Sequence, residues 1–309
     1  MKHLPQVIFL VGPTAVGKTE VACRLARKVR GEIISCDSMQ VYRQVRIASN
    51  KPSTAALKAV PHHLVDVVSV EEEFDVARFR KAAVASIRQI MARRRVPLIV
   101  GGSGLYMSVL LDGIFEGQAK DEALRRRLET VAEEKGNVFL HEELRRRDPP
   151  AAEKIHANDR RRIIRALEVF ELTRTPISAI QKNRKGLWGQ YDIRVFGLNY
   201  PRQELYGRID RRVEAMFREG LLKEVEGLRR LLLSQTAAKI IGIKEVGEHL
   251  EGRTGLAVAK ELMKQNTRRY AKRQLTWFRR DSRIEWIELE EKITPPEAVK
   301  MILRSLEEK

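Results

Sequence analysis

The chain has 309 residues, 43% of them hydrophobic and 32% charged, enough to bury a full core and ordinary for a globular protein in water. No apolar run approaches the roughly 18 to 20 residues of a membrane span, so no membrane partner is expected. Two cysteines, Cys23 and Cys36, without a C-x-x-C pair, leave neither a disulfide framework nor a structural zinc site and read as small buried residues. The net charge of +18 is spread as +7 over residues 1–119, +5 over 120–190 and +6 over 191–309, which favours a polyanionic partner and excludes a single basic tail.

The apolar run VIFLV (7–11) is too short for a signal segment and flows into a glycine-rich turn, so it predicts a first strand over 6–11 and a cytoplasmic protein. Val21, Leu25 and Val29 predict a helix from Thr19 to Arg30. GEIISC (31–36) is the next strand, VPHHL (60–64) a turn, and VDVVSV (65–70) a further strand candidate. Helical spacing of Val76, Phe79, Ala83 and Ile87 follows, and then PLIVGGSGLY (97–106), a strand with a second glycine turn and a helix. Continuously apolar strands alternating with helices predict a parallel α/β sheet flanked by helices on both faces. From about Lys120 the pattern becomes densely charged and helical, with only a short strand candidate at Val138. YDIRVFGLNY (191–200) is again a core strand, followed by helices over 203–219, 220–233, 239–250 and 255–278 and a last strand at RIEWIEL. The expected organisation is a core of residues 1–119 and 190–309 interrupted by a helical insertion, 120–189.

GPTAVGKT, comprising Gly12, Pro13, Thr14, Ala15, Val16, Gly17, Lys18 and Thr19, fits the P-loop pattern and sits between strand and helix, where the motif must sit. Backbone amides from Thr14 onward, the helix N-terminus and Lys18 would cradle phosphates, and the Thr19 hydroxyl would hold Mg²⁺. The motif does not say whose phosphates: a diphosphate ester fits as well as ATP. The fold implied is P-loop NTPase-like. Asp37 follows the second strand at the same carboxyl edge of the sheet, where ligands bind in such folds. It could be a magnesium ligand, a general base, or a solvated acid and helix cap. Gln40 close by offers a donor and an acceptor suited to an adenine edge.

GPTAVGKT, DSMQVYR, VPHHLVDV, VGGSGLY, RRIIRALEV, IIGIKEV and RRYAKRQLTWFR occur in the order and approximate spacing of the bacterial tRNA dimethylallyltransferases, which the chain resembles from Val7 to about Arg279. The resemblance implies transfer of the dimethylallyl group of dimethylallyl diphosphate to N6 of the adenosine on the 3′ side of the anticodon, without ATP cleavage. It implies a P-loop that holds diphosphate with Mg²⁺, Asp37 as general base, and Gln40 on the adenine edge. Asp37, Ser38, Met39 and Gln40 would then touch the anticodon loop of tRNA, as would Ser103, which stands where relatives usually have threonine. Of Arg208 and Arg212, four apart on one helix face, one would contact the diphosphate, and Arg212 is favoured. The block Arg161, Arg162, Ile163, Ile164 and Arg165 would touch RNA.

RRYAKRQLTWFRR (268–280) carries six basic residues and no acid; we expect its aromatics in the core and its cations on phosphates. His62 and His63 lack a third ligand at metal spacing and read as loop structure lining the site. The segment QVRIASNKPS departs from the glycine-containing IGTAKP of relatives, which puts the loop behind the site in question. A small-molecule kinase, a prenyltransferase acting on AMP or ADP, and a non-catalytic RNA-binding protein are the rival readings. The insertion and the positive charge argue for a large polyanion, and pairing Lys18 and Thr19 with Asp37 serves no purely binding role. A monomer is expected.

Overall fold

The computed structural model describes residues 4–114, 121–182, 184–290 and 293–308. It divides into two units, one of residues 1–110 and 188–309 and one of residues 111–187. The boundary expected at 119/120 falls outside the described residues.

The first unit is built on six strands: β1 (Gln6–Val11), β2 (Gly31–Cys36), β3 (His62–His63), β4 (Val96–Gly101), β5 (Asp192–Asn199) and β6 (Ile284–Glu288). All pair in parallel, in the order β3-β2-β4-β1-β5-β6. Central strands of a parallel sheet are covered on both faces, which is why Val7 through Val11 are all apolar and fully buried. Helices α1 (Lys18–Lys28), α2 (Thr54–Ala59), α3 (Val76–Ala92) and α4 (Gly104–Leu111) accompany the first four strands. In the second unit lie α5 (Glu122–Arg147), α6 (Pro149–Lys154), α7 (Arg160–Thr173) and α8 (Ile177–Lys182). The chain then returns to the sheet and adds α9 (Arg202–Arg218), α10 (Leu221–Leu228), α11 (Ile243–Leu250), α12 (Leu256–Phe278) and α13 (Pro295–Glu307). Among the described residues no helix is long and apolar enough to cross a membrane.

Three elements differ from the sequence reading. VDVVSV forms no strand: Leu64 and Asp66 take left-handed backbone (φ 61 and 59), which interrupts an extended run, and Val68 makes only an isolated bridge to Tyr42. The short edge strand is instead His62–His63, paired with Ile33 and Ile34. Val138, the other strand candidate, is helical and 64% exposed, in a unit whose described residues contain no strand to pair with. α5 bends there because Gly136 has φ 83. α13 was not anticipated at all, although Thr294 and Glu297 form a capping box with Pro295 at the first helical position. Its Ala298, Val299 and Ile302 bury against the cluster that contains Val21 and Leu25 of α1.

The helical unit has its own core, with Leu128, Leu140, Leu144, Ile163, Ile164 and Leu167 at its centre. Glu168, fully buried, accepts from Arg125 at 2.8 Å through both carboxylate oxygens and from Arg165 at 2.5 Å. Burying that carboxylate is tolerable only because guanidinium donors replace its water.

Candidate active site

The carboxyl ends of β1, β2 and β4 lie side by side, and each is followed by a turn that carries chemistry. After β1 comes the P-loop. A Cβ on Gly12 would stand 2.4 Å from the Leu198 carbonyl oxygen of β5, so only glycine lets the loop leave the sheet at that point. α1 begins at Gly17 without a side-chain cap, leaving its first amides for a ligand. The Lys18 ammonium donates to the carbonyls of Gly12 (2.9 Å) and Pro13 (2.7 Å). Burial lowers its pKa to about 8, and Arg212 adds to the lowering while Asp37 opposes it. A lysine so placed is stabilised in its charged form by an arriving anion.

Arg212, on α9, donates through Nη1 to the Thr14 hydroxyl at 2.9 Å, and its buried Nε has no hydrogen-bond partner among the described residues. Burial brings its pKa down to about 10. An orphaned guanidinium N–H beside a phosphate loop is the mark of a site built for an anion. Arg208, one turn earlier, turns elsewhere: its Nε donates to the Ala15 carbonyl at 3.0 Å and its guanidinium lies 4.6 Å from the Tyr200 ring centroid. It shapes the loop from behind, whereas Arg212 enters the cavity.

After β2 comes Asp37. Its Oδ1 accepts from the Met39 amide at 2.9 Å, in a turn, and no helix begins there, which removes the helix-cap reading. Oδ2 has no hydrogen bond among the described residues. After β4 come Gly101 and Gly102. Ser103 uses its hydroxyl to accept from the Tyr106 amide at 3.4 Å, in the first turn of α4.

Thr14, Ala15, Gly17, Lys18, Thr19 and Arg212 share one cavity of about 500 Å³ with Asp37, Met39 and Gln40. That volume suits a small ligand and a planar base together. Its apolar side comes from Val213, Met216, Ile240, Ile241 and Met263. Gly12, Pro13, Val16, Ser38, Ser103 and Arg208 do not line it, and the Val16 side chain is packed in the core. Arg161, Arg162 and Arg165 belong to the helical unit, where Arg162 pairs with Asp159 and Arg165 with Glu168, while Arg161 is exposed. Ile163 and Ile164 are 0% and 6% exposed and pack in that unit's core, so their side chains are not offered to RNA as expected. Thr19 and Asp37 present oxygen donors in one cavity, which fits a hard cation that keeps water and phosphate ligands. No group of three or more His, Cys, Asp or Glu among the described residues could share a metal.

Several cavity residues were missed by the sequence reading. Gln274 of α12 accepts from the Thr14 amide (2.9 Å) and donates to the Gly102 carbonyl (2.9 Å), joining the two glycine turns. The Thr14 amide is thereby spent on protein, so of the loop amides expected to meet a ligand the first is already engaged. A Cβ on Gly102 would come within 2.2 Å of Gln274 Nε2, which explains the glycine. Tyr270, expected in the core, lines the cavity one helical turn before Gln274; Trp277, also expected inside, is 44% exposed, and only Phe278 is fully buried. His62 reaches the cavity, but His63 instead bonds Glu32 at 2.7 Å. The divergent loop is held from outside: the Glu224 carboxylate accepts from the amides of Arg46 (2.7 Å), Ile47 (2.7 Å) and Ala48 (2.9 Å).

A family model described as IPP transferase matches residues 40–281. The chain belongs to the IPP transferase family. It is 46% identical over 307 residues to the tRNA dimethylallyltransferase of Desulforudis audaxviator, covering 98% of each chain. Against that of Carboxydothermus hydrogenoformans it is 45% identical over 285 residues, covering 92% of each. Among solved structures, the tRNA isopentenylpyrophosphate transferase of Bacillus halodurans is 39% identical with a TM-score of 0.71, over 98% of this chain and 97% of that one. A eukaryotic dimethylallyltransferase acting on tRNA is 27% identical with a TM-score of 0.84, over 99% of this chain and 80% of that one.

Proposed function

We propose that this chain is a tRNA dimethylallyltransferase that uses dimethylallyl diphosphate to prenylate N6 of the adenosine on the 3′ side of the anticodon. The observation that carries the reading is the shared cavity: the phosphate-binding Lys18 and Arg212 open onto the same space as the carboxylate of Asp37. Amides of the P-loop past Thr14, with Lys18 and Arg212, bind the diphosphate, and the apolar wall receives the allyl chain. The target base must leave its stack to enter, which selects an unpaired loop nucleotide.

In the transfer, the bond from the allylic carbon to the diphosphate oxygen breaks and its electron pair leaves with diphosphate. The N6 lone pair forms the new C–N bond, and the N6 proton passes to Asp37. An adenine amine is a poor nucleophile because its lone pair is delocalised into the ring, so removing that proton as the bond forms is what the carboxylate contributes. Lys18 and Arg212 stabilise the charge released on diphosphate. The Thr19 hydroxyl would hold Mg²⁺, which supplies further positive charge to the leaving group. The net charge of +18 and the exposed cations of α12 suit an RNA acceptor. A tRNA acceptor goes with a cytoplasmic enzyme.

Purified protein given labelled dimethylallyl diphosphate, Mg²⁺ and unmodified tRNA should label the RNA on a single adenosine per molecule, and chelation of Mg²⁺ should suppress the transfer. Label appearing on free AMP and not on tRNA would replace this reading by the small-acceptor one.

A further inference from the structure

Gln40 stands beside Asp37 in the cavity with both amide atoms already engaged. The Ser35 hydroxyl donates to its Oε1 at 2.9 Å, and its Nε2 donates to the Asn50 carbonyl at 3.0 Å. A backbone carbonyl can only accept, so the nitrogen end of the amide must face Asn50 and the oxygen end must face Ser35. One hydrogen on Nε2 and one lone pair on Oε1 remain for a ligand.

Both partners are themselves fixed. Ser35 is 3% exposed, in β2, paired in register with Val100 of β4. Asn50 closes a loop in which its amide donates to the Ile47 carbonyl at 2.9 Å and the Ser49 hydroxyl donates to the Val45 carbonyl at 2.6 Å. The start of that loop hangs on the three amide hydrogen bonds accepted by Glu224. Only glutamate or aspartate could accept all three without presenting a competing donor.

We propose that Ser35 and Glu224 are positioning residues that hold the Gln40 amide in the one orientation able to read adenine, so that base choice is preset in the free enzyme. The proposal rests on the prenyl-transfer reading above. Adenine presents its N6 amine as donor beside N7 as acceptor, which matches an amide offering oxygen and N–H side by side. Guanine presents O6, an acceptor, where the amine should be, and meets the amide oxygen unfavourably. With one amine hydrogen on Gln40, the other is left for Asp37. A freely rotating amide could turn its N–H toward O6 of guanine and would lose part of this discrimination.

The test compares synthetic anticodon stem-loops carrying adenosine or 7-deazaadenosine at the target position, on the same enzyme preparation. Wild-type enzyme should lose roughly five- to tenfold in kcat/KM on removal of N7, one hydrogen bond of the pair that reads the base. Gln40→Met should abolish that penalty. Ser35→Ala, in which the Asn50 carbonyl still holds the nitrogen end, and Glu224→Ala should each lose part of it, and the two together most of it, while leaving the KM for dimethylallyl diphosphate unchanged. Because the readout is a ratio between two RNAs, a partly unfolded preparation does not move it, and Glu224→Ala leaves β2 untouched. Variants at Ser35 and Glu224 that retain the full wild-type penalty, or a wild-type enzyme that shows none, would overturn the proposal. Absence of any transfer to the adenosine stem-loop would instead overturn the prenyl-transfer reading beneath it.

Discussion

Asp37→Ala is expected to lower turnover by about a hundredfold or more, with tRNA binding nearly intact. The expectation follows from how the carboxylate is held. One oxygen is tied to the Met39 amide, which fixes the group at the end of β2, and the other accepts no hydrogen bond among the described residues. Affinity for RNA comes mainly from cations meeting phosphates, and Asp37 makes no such contact. Asp37→Asn separates position from proton transfer: it keeps the size and the Met39 contact but cannot take the amine proton. It should therefore lose as much turnover as alanine does. An asparagine variant with wild-type turnover would show that the group only shapes the turn, and loss of RNA binding in both variants would show the same.

Lys18→Met should lower kcat/KM for dimethylallyl diphosphate by about 10²- to 10³-fold, the usual cost of removing a principal charge-stabilising donor. It should also remove a pH dependence. In the free protein burial brings the Lys18 pKa to about 8, so the side chain loses its charge as pH rises through that value. A bound diphosphate favours the charged form, so above that pH binding must take up a proton. Affinity for inorganic diphosphate should then fall by up to about tenfold per pH unit above the transition and be flat below it. Arg212, at about 10, stays charged through the transition and keeps a residual site. Titration calorimetry from about pH 7 to about pH 9.5 reads the slope, which the methionine variant should lack over that range. Equal affinity across that range in the wild type would mean that Lys18 does not meet the diphosphate.

What could be read from sequence was what local chemistry dictates. A parallel strand covered on both faces is mostly apolar, so β1, β2, β4 and β5 were visible as such despite Glu32, Ser35 and Arg194 among them, and the P-loop is a local motif whose spacing sets its own geometry. The residues that escaped reading act across long separations. Gln274 joins Thr14 to Gly102 from a helix 260 positions away from the first, and nothing near it in sequence announces that partner. Glu224 is one acid in a charged helix, and its role comes only from where the 46–48 loop lands. Tyr270 obeyed the helical spacing expected of a core residue, but α12 runs along the cavity there, so the same spacing delivers it to the site. The strand misread at residues 65–70 has strand-like composition, which two left-handed residues override. α13 is the contrary case: Thr-Pro-Pro-Glu before an amphipathic run is a complete local signal for its N-terminus, legible without any tertiary partner.

On the proposed reading the phosphate cradle and Asp37 act on the two ends of one reaction within a single cavity. A crystal structure with an unreactive thio-analogue of dimethylallyl diphosphate and an anticodon stem-loop tests it most directly. Diphosphate is expected on Lys18 and Arg212, the allylic carbon about 3 to 3.5 Å from N6, and Asp37 within hydrogen-bond reach of that amine. A diphosphate bound at the P-loop with the adenine lodged beyond reach of both the allylic carbon and Asp37 would contradict it.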